Sequence, residues 1–139
     1  MRFSRRMKIA APMLLGALLL SSCGIVRDGI KRSAEIQEVE AAVGRLLGDR
    51  TVDAYLENST DHMRIDIKNS PLRDLPSAER RAKALEVARL AYATYASRSS
   101  LKEIEVVFVV EKTETSMLTS SRTFDALVRY EFPVGDLQR

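Results

Sequence analysis

The chain has 139 residues, of which 22 are basic and 19 acidic, so its formal net charge is +3. It contains one cysteine and one histidine. A single cysteine excludes an intramolecular disulfide, a thiolate zinc site and a Cys-x-x-Cys redox site, so the fold must be stabilised by packing.

The first 24 residues combine a basic start, a short apolar run and a small-residue motif that contains the cysteine. The basic residues Arg2, Arg5, Arg6 and Lys8 precede every acidic residue, and the apolar run spans residues 9–20. About a dozen apolar residues suit the h-region of a signal peptide and fall short of the roughly 20 that a transmembrane helix needs. The pattern therefore predicts export rather than a permanent membrane-spanning anchor.

The motif Leu20-Ser21-Ser22-Cys23, followed by Gly24, resembles the lipobox of bacterial lipoproteins. The resemblance covers residues 1–24 only. It implies that residues 1–22 are a cleaved signal peptide and that Cys23 becomes an N-terminus bearing diacylglycerol and a further acyl chain such as palmitate. Two or three acyl chains would hold the protein stably on a membrane. Because Gly24 stands where an aspartate would favour inner-membrane retention, the resemblance also implies an outer-membrane location facing the periplasm.

Signal cleavage would also change the charge balance of the chain. Residues 1–22 hold four of the 22 basic residues and no acidic residue, which leaves 18 basic against 19 acidic side chains. This removes the global electrostatic argument for a nucleic-acid partner. Residues 23–33 are expected to form the lipidated cysteine and a short tether, which would reach roughly 33–36 Å from Gly24 onward if fully extended. Residues 34–139 are expected to form one domain.

The sequence of residues 33–68 predicts one helix and two strands. Apolar residues recur at helical spacing over residues 33–47, with Ser33 as the expected N-cap and Gly48 just after the end. Alternation of apolar and polar residues over 51–58 and again over 63–68 predicts two strands that form a hairpin.

The second part of the domain repeats this order. A helix is expected from Pro76 to about residue 96, followed by strands over residues 104–111 and 124–132. In the last strand one set of alternating residues is expected to face the core: Phe124, Ala126, Val128, Tyr130 and Phe132. The resulting αββαββ order predicts an α+β two-layer sandwich, in which two helices cover one face of a four-stranded, mostly antiparallel sheet. The strand order stays open.

The residues indicate no catalytic site and no metal site. His62 has no second histidine or nucleophile motif to work with, so a solvated histidine at the turn or at the start of the second strand is expected. Asp53 and Asp66 fall on the polar phase of their strands and are expected to face solvent rather than to bind a cation. The chain is therefore predicted not to be an enzyme, and no cofactor is expected besides the covalent lipid on Cys23.

What remains is an interaction surface. Tyr55, Val107, Val109 and Leu127 share the phase opposite the core and could form an exposed apolar strip, unless the stems of neighbouring charged side chains cover them. An unpaired edge strand offers a second route to a partner. The predicted function is that of a membrane-anchored, non-enzymatic adaptor that binds another envelope protein. The alternatives are a periplasmic module that binds peptidoglycan or a small ligand between helices and sheet, and a hydrolase with an unrecognised site.

Overall fold

The computed structural model describes residues 14–48, 51–57, 61–115 and 120–139, with side chains described from residue 29 onward except at 113–115 and 120. The chain divides into two compact units, Met1–Arg32 and Ser33–Arg139. The basic start of the predicted signal peptide lies outside the described residues. The predicted lipobox, Leu20 to Gly24, lies in helical backbone, but its side chains, including that of Cys23, are also outside the described part.

Helix α1 spans Leu14–Leu46. The prediction that this helix begins near Ser33 is wrong, because the backbone of residues 24–33, the expected tether, is already helical. The chain has no proline between Pro12 and Pro71, so no residue in this stretch removes a helical hydrogen-bond donor. Ten helical residues span about 15 Å, less than half the reach of an extended segment. Gly48 follows the helix with φ +75°, as its predicted role requires.

Two antiparallel hairpins supply the sheet. Strand β1, Val52–Glu57, pairs with β2, His62–Lys68. Strand β3, Glu103–Thr115, pairs with β4, Ser120–Pro133. Both predicted hairpins are therefore confirmed, and the strands of the second hairpin are longer than the alternation pattern predicted.

The two hairpins join through a parallel pair of strands. Helix α2, Ser77–Thr94, connects β2 to β3, and these two strands run parallel in a sheet of order β1-β2-β3-β4. An 18-residue helix is about 27 Å long, and a seven-residue strand is about 23 Å long. The helix can therefore return the chain to the end of the sheet where β2 began. The expected antiparallel character holds for the hairpins and not for the central pair.

The hydrophobic core combines one face of the sheet with residues from the helices. The residues of this core are Val39 and Val43 from α1, Ala84, Val87, Ala88 and Ala91 from α2, and alternating strand residues such as Ile65, Ile67, Ile104, Val106 and Phe108. Small residues on α2 allow a close approach to the sheet. Arg80 on α2 also donates from Nε to the Tyr130 hydroxyl on β4 at 2.9 Å.

A short helix α3, Val134–Leu137, follows β4. The domain is an α+β fold with a four-stranded mixed sheet and three helices in the described residues.

A β-bulge changes which residues of β4 face the core. Val128 lies opposite Phe108, but the next pair is Val109 with Ala126, so one residue of β4 is skipped. A one-residue shift moves every following side chain to the other face. Phe124, predicted to face the core, is instead 52% exposed and lies on the opposite face, where the Lys68 ammonium is 5.0 Å from its ring centroid. The prediction for Phe124 and Ala126 is therefore wrong.

Candidate functional site

The face of the sheet opposite the core, here called the polar face, gathers charged side chains at one end. Glu57 at the end of β1 lies opposite His62 at the start of β2, and His62 lies opposite Glu103 at the start of β3. Glu105 is two residues further along β3 and shares this face. Because β2 and β3 are parallel, both strands begin at the same end of the sheet. We call Glu57, His62, Glu103 and Glu105 the His62 cluster.

His62 is held between two carboxylates of this cluster. Its Nδ1 lies 3.2 Å from Glu103 Oε1, which is within hydrogen-bonding distance, and its Nε2 lies 4.0 Å from Glu57 Oε2. The Nε2 atom is shielded from solvent and has no hydrogen-bond partner among the described residues. His62 is half-buried and begins β2. His62 therefore lies at the start of the second strand, as one of the two expected positions has it, but it is less solvated than expected.

Glu105 is the most buried charged residue of the His62 cluster. Its side chain is only 2% exposed, and its Oε1 lies 2.8 Å from Nε of Arg129 on β4. Its Oε2 lies 3.7 Å from Nε of Arg64 on β2. Burial raises the pKa of the Glu105 carboxyl, although the charges of Arg129 and Arg64 act in the opposite direction. The charges of Arg129 and Arg64 therefore offset part of the free-energy cost of burying the Glu105 carboxylate.

A second polar group borders Glu105 on β1 and β2. Arg64 donates from Nε to Asp66 Oδ1 at 2.7 Å, and the Tyr55 hydroxyl donates to Asp66 Oδ2 at 3.3 Å. Burial and the neighbouring charge of Asp66 raise the pKa of Tyr55 to about 12, so its hydroxyl stays a donor. Asp53 forms an ion pair with Lys68. Asp66 is mostly buried, so its expected position in solvent is wrong, whereas Asp53 is half-exposed.

The predicted apolar strip on this face is only partly exposed. Tyr55 is 38% and Leu127 50% exposed, as expected, but Val107 and Val109 are 0% and 2% exposed. Val107 lies between Asp66 and Arg129 in the sheet register, and Val109 lies beside Lys68. The aliphatic stems of such long side chains cover apolar neighbours. For Val107 and Val109 the structure therefore agrees with the second alternative, in which neighbouring charged side chains cover the apolar residues.

The two edge strands of the sheet differ. On β1, the backbone N–H of Ala54 donates to Glu40 Oε1 of α1 at 2.8 Å, so the helix satisfies a donor at this edge. On β4, no second strand within the described ranges pairs with the outer side. Residues 121–127 of β4 are all exposed and include Phe124 and Leu127. We call this outer side of β4 the β4 edge.

The β3–β4 hairpin also extends past the rest of the sheet. The pairing of β2 with β3 ends at Lys68 and Val109, whereas β3 and β4 remain paired as far as Thr115 and Ser120. A two-stranded ribbon without further support is only marginally stable in water. This part of the hairpin would gain stability from a further strand.

One group of residues in the described part of the chain has the composition of a metal site. The ligand atoms of Glu57, His62 and Glu105 all lie within 4.8 Å of one another. One imidazole nitrogen and two carboxylates suit a divalent transition metal. The sequence pattern did not identify this group because its members come from three different strands. The only local signal was that Glu57 and His62 both occupy polar positions of the alternating strands in the first hairpin.

The chain was also compared with known proteins. No protein-family model matches it, and no curated protein and no solved structure shows a significant similarity to it. Among the described residues, none of the helices is both long enough and apolar enough to cross a bilayer.

Proposed function

We propose that the protein is a membrane-anchored envelope lipoprotein that binds another envelope protein without catalysing a reaction. In this proposal residues 1–22 are removed, Cys23 carries the lipid, and the domain faces the periplasm from the outer membrane. The lipobox-like sequence Leu20 to Gly24 supports the anchor. We further propose a two-layer arrangement, because α1 and α2 contribute to a single core with one face of the sheet.

The observation that carries the binding proposal is the β4 edge. An unpaired strand presents backbone donors and acceptors that a partner can use by adding a strand of its own. Phe124 and Leu127 provide apolar contacts beside this backbone, and both are about half-exposed. We infer a partner with an extended segment that carries apolar side chains at alternate positions.

Three of the charged residues of β4 oppose the addition of a strand less than unpaired charges would, because each forms an ion pair within the hairpin. Arg122, Asp125 and Arg129 each pair across the hairpin, with Glu111, Lys112 and Glu105, at 3.6, 2.7 and 2.8 Å. Exposed charges on an edge strand normally discourage strand addition. Because these three charges are balanced within the hairpin, they oppose an incoming strand less.

Site-specific photocross-linking in intact cells tests the proposal. A photoreactive amino acid at Leu127 probes the β4 edge, and the same amino acid at Asp53 is the matched control, since Asp53 is half-exposed on the opposite edge strand. We expect one envelope protein to be cross-linked from position 127 and not from position 53. The adduct should disappear when Cys23→Ala prevents anchoring.

Three results would contradict the proposal. Equal cross-linking from both positions would indicate non-specific proximity at the membrane. An adduct with the mass of two copies of this chain would indicate self-association through β4. No adduct from a lipidated and abundant protein would leave the β4 edge without a protein partner and would favour the ligand-binding alternative.

A further inference from the structure

We propose that Glu57, His62 and Glu105 form a binding site for one divalent transition-metal ion, with Zn²⁺ the best match. No metal site is expected from the sequence pattern, and the adaptor proposal does not require one. The ligand atoms of the three side chains lie within 4.8 Å of one another on the polar face. The proposal rests on the orientation of His62, the local charge and the geometry of the three donors.

Glu103 orients His62 as a metal ligand. The contact of 3.2 Å between Nδ1 and Glu103 Oε1 favours the tautomer that carries its proton on Nδ1, because a carboxylate accepts and does not donate. The lone pair then lies on Nε2. A carboxylate that holds the second nitrogen is the usual outer partner of a zinc-bound histidine.

The Nε2 atom faces a second electron-rich atom across a gap. It is shielded from solvent, it has no hydrogen-bond partner in the described part of the chain, and Glu57 Oε2 is 4.0 Å away. Two acceptors that face each other at this distance form no hydrogen bond. A cation between them satisfies both, and this unpartnered nitrogen is evidence for a ligand beyond the presence of acidic residues.

The distances allow a tetrahedral ion after a small movement. Zinc bonds of about 2.0–2.2 Å place neighbouring ligand atoms about 3.4 Å apart. The gap of 4.0 Å between His62 and Glu57 must therefore close by about 0.6 Å, and no gap in the set, which lies within 4.8 Å, must close by more than about 1.4 Å. Glu57 ends β1 and its side chain is about one-third exposed, so it can move, and water can occupy the fourth position on its solvent side.

The local charge also fits a divalent ion. The ion-pair network that includes this site holds four carboxylates, those of Glu57, Glu103, Glu105 and Asp66, and two guanidiniums, those of Arg64 and Arg129; Asp66 joins it through Arg64. With a neutral His62 the balance is −2. Arg129 is half-exposed and can turn toward solvent when a metal binds Glu105, whereas Arg64 remains paired with Asp66.

Zinc titration of the full-length chain tests the proposal. The chain is purified in detergent with Cys23→Ser, because a free thiolate would itself bind zinc. Calorimetry should detect one Zn²⁺ per chain. His62 is the only histidine, so its ¹⁵N resonances report on the site without ambiguity. Addition of zinc should shift the Nε2 resonance while Nδ1 keeps its proton.

Variants distinguish the ligands from their surroundings. Glu57→Gln and His62→Gln should each weaken zinc binding at least tenfold. Glu103→Gln should weaken it by about ten- to a hundredfold by releasing the imidazole. Glu131→Gln is the matched control, since Glu131 is exposed and lies opposite Glu105 on the same face, and it should leave the affinity unchanged. Thermal unfolding of each variant confirms that it is folded.

Several outcomes would overturn the proposal. They are the absence of zinc binding to a folded chain, zinc binding that survives His62→Gln, and a preference for Ca²⁺ or Mg²⁺ over Zn²⁺. A proton on Nε2 that zinc does not displace would overturn it as well, because a proton would then fill the gap between His62 and Glu57.

Discussion

The two edge strands of the sheet differ in what lies beside their outward-facing backbone groups. At β1 the carboxylate of Glu40 on α1 accepts the backbone N–H of Ala54, and Ala54 itself is buried in the core. At β4, Ala126, Phe124 and Leu127 are exposed, and no strand of the described sheet lies beyond them. An edge strand is open to pairing unless another element covers it. The comparison shows which edge of the described sheet is open to the addition of a further strand.

The difference has a cause in the chain order. β1 directly follows α1, so the helix is close enough for one of its acidic side chains to reach the strand. β4 is followed only by the four-residue α3, whose Leu137 belongs to the core. A helix of one turn cannot cover a strand of 14 residues, which is about 48 Å long when fully extended.

The largest expected effect comes from placing a charge at each edge. Ala54→Asp should lower the free energy of unfolding by at least about 3 kcal/mol, because it buries an unpaired carboxylate. Ala126→Asp on the exposed edge should change it by no more than about 0.5 kcal/mol. Urea denaturation of the two variants measures both values. Equal losses would mean that the edges do not differ in burial.

Removal of the contact that caps β1 should have the next largest effect. Glu40→Ala should cost about 1–3 kcal/mol of stability, since it leaves the Ala54 N–H without its acceptor in a partly buried position. Glu40→Gln keeps an acceptor oxygen and should lose less. Glu38→Ala, an exposed change on the same helix, is the control for helix propensity. A loss no greater than that of the control would show that Glu40 does not protect this edge.

Glu105 should make stability depend on pH in a defined direction. Its pKa is raised in the folded state, mainly by burial, so the native chain binds a proton at a pH where the unfolded chain has lost it. The contribution of Glu105 is greatest below its unfolded pKa and falls as the pH rises through the folded value. The stability of the wild type relative to Glu105→Gln should therefore decline with rising pH in chemical denaturation. A rise would show that Arg64 and Arg129 outweigh burial.

The smallest expected effect concerns the contact between Lys68 and Phe124. This cation–π pair should contribute about 0.5–1 kcal/mol at an exposed site. A double-mutant cycle with Lys68→Met and Phe124→Leu measures the coupling, and Leu127→Ala provides a control change on the same strand. Zero coupling would leave the exposed Phe124 with no internal role and would strengthen its assignment to partner binding.

Local patterns predicted part of this fold correctly. The period-2 alternation of the strands depends on neighbouring residues, so it identified all four strands and both hairpins. The same rule failed at Phe124 because a bulge shifts the phase by one residue, and a bulge has no periodicity signal of its own. The helix start failed because the lipobox-like motif suggested a separate tether, while the backbone carries no helix-breaking proline there.

The amino-acid sequence by itself determined the α+β class and the four strands, because these follow from short-range periodicity. Only the tertiary structure decided the parallel pairing of β2 with β3, the burial of Val107 and Val109, and the different protection of the two edges. The His62 cluster depends on that parallel pairing, which brings residues separated by about 40 positions to one end of the sheet. Such contacts depend on how whole elements pack, so no local pattern encodes them.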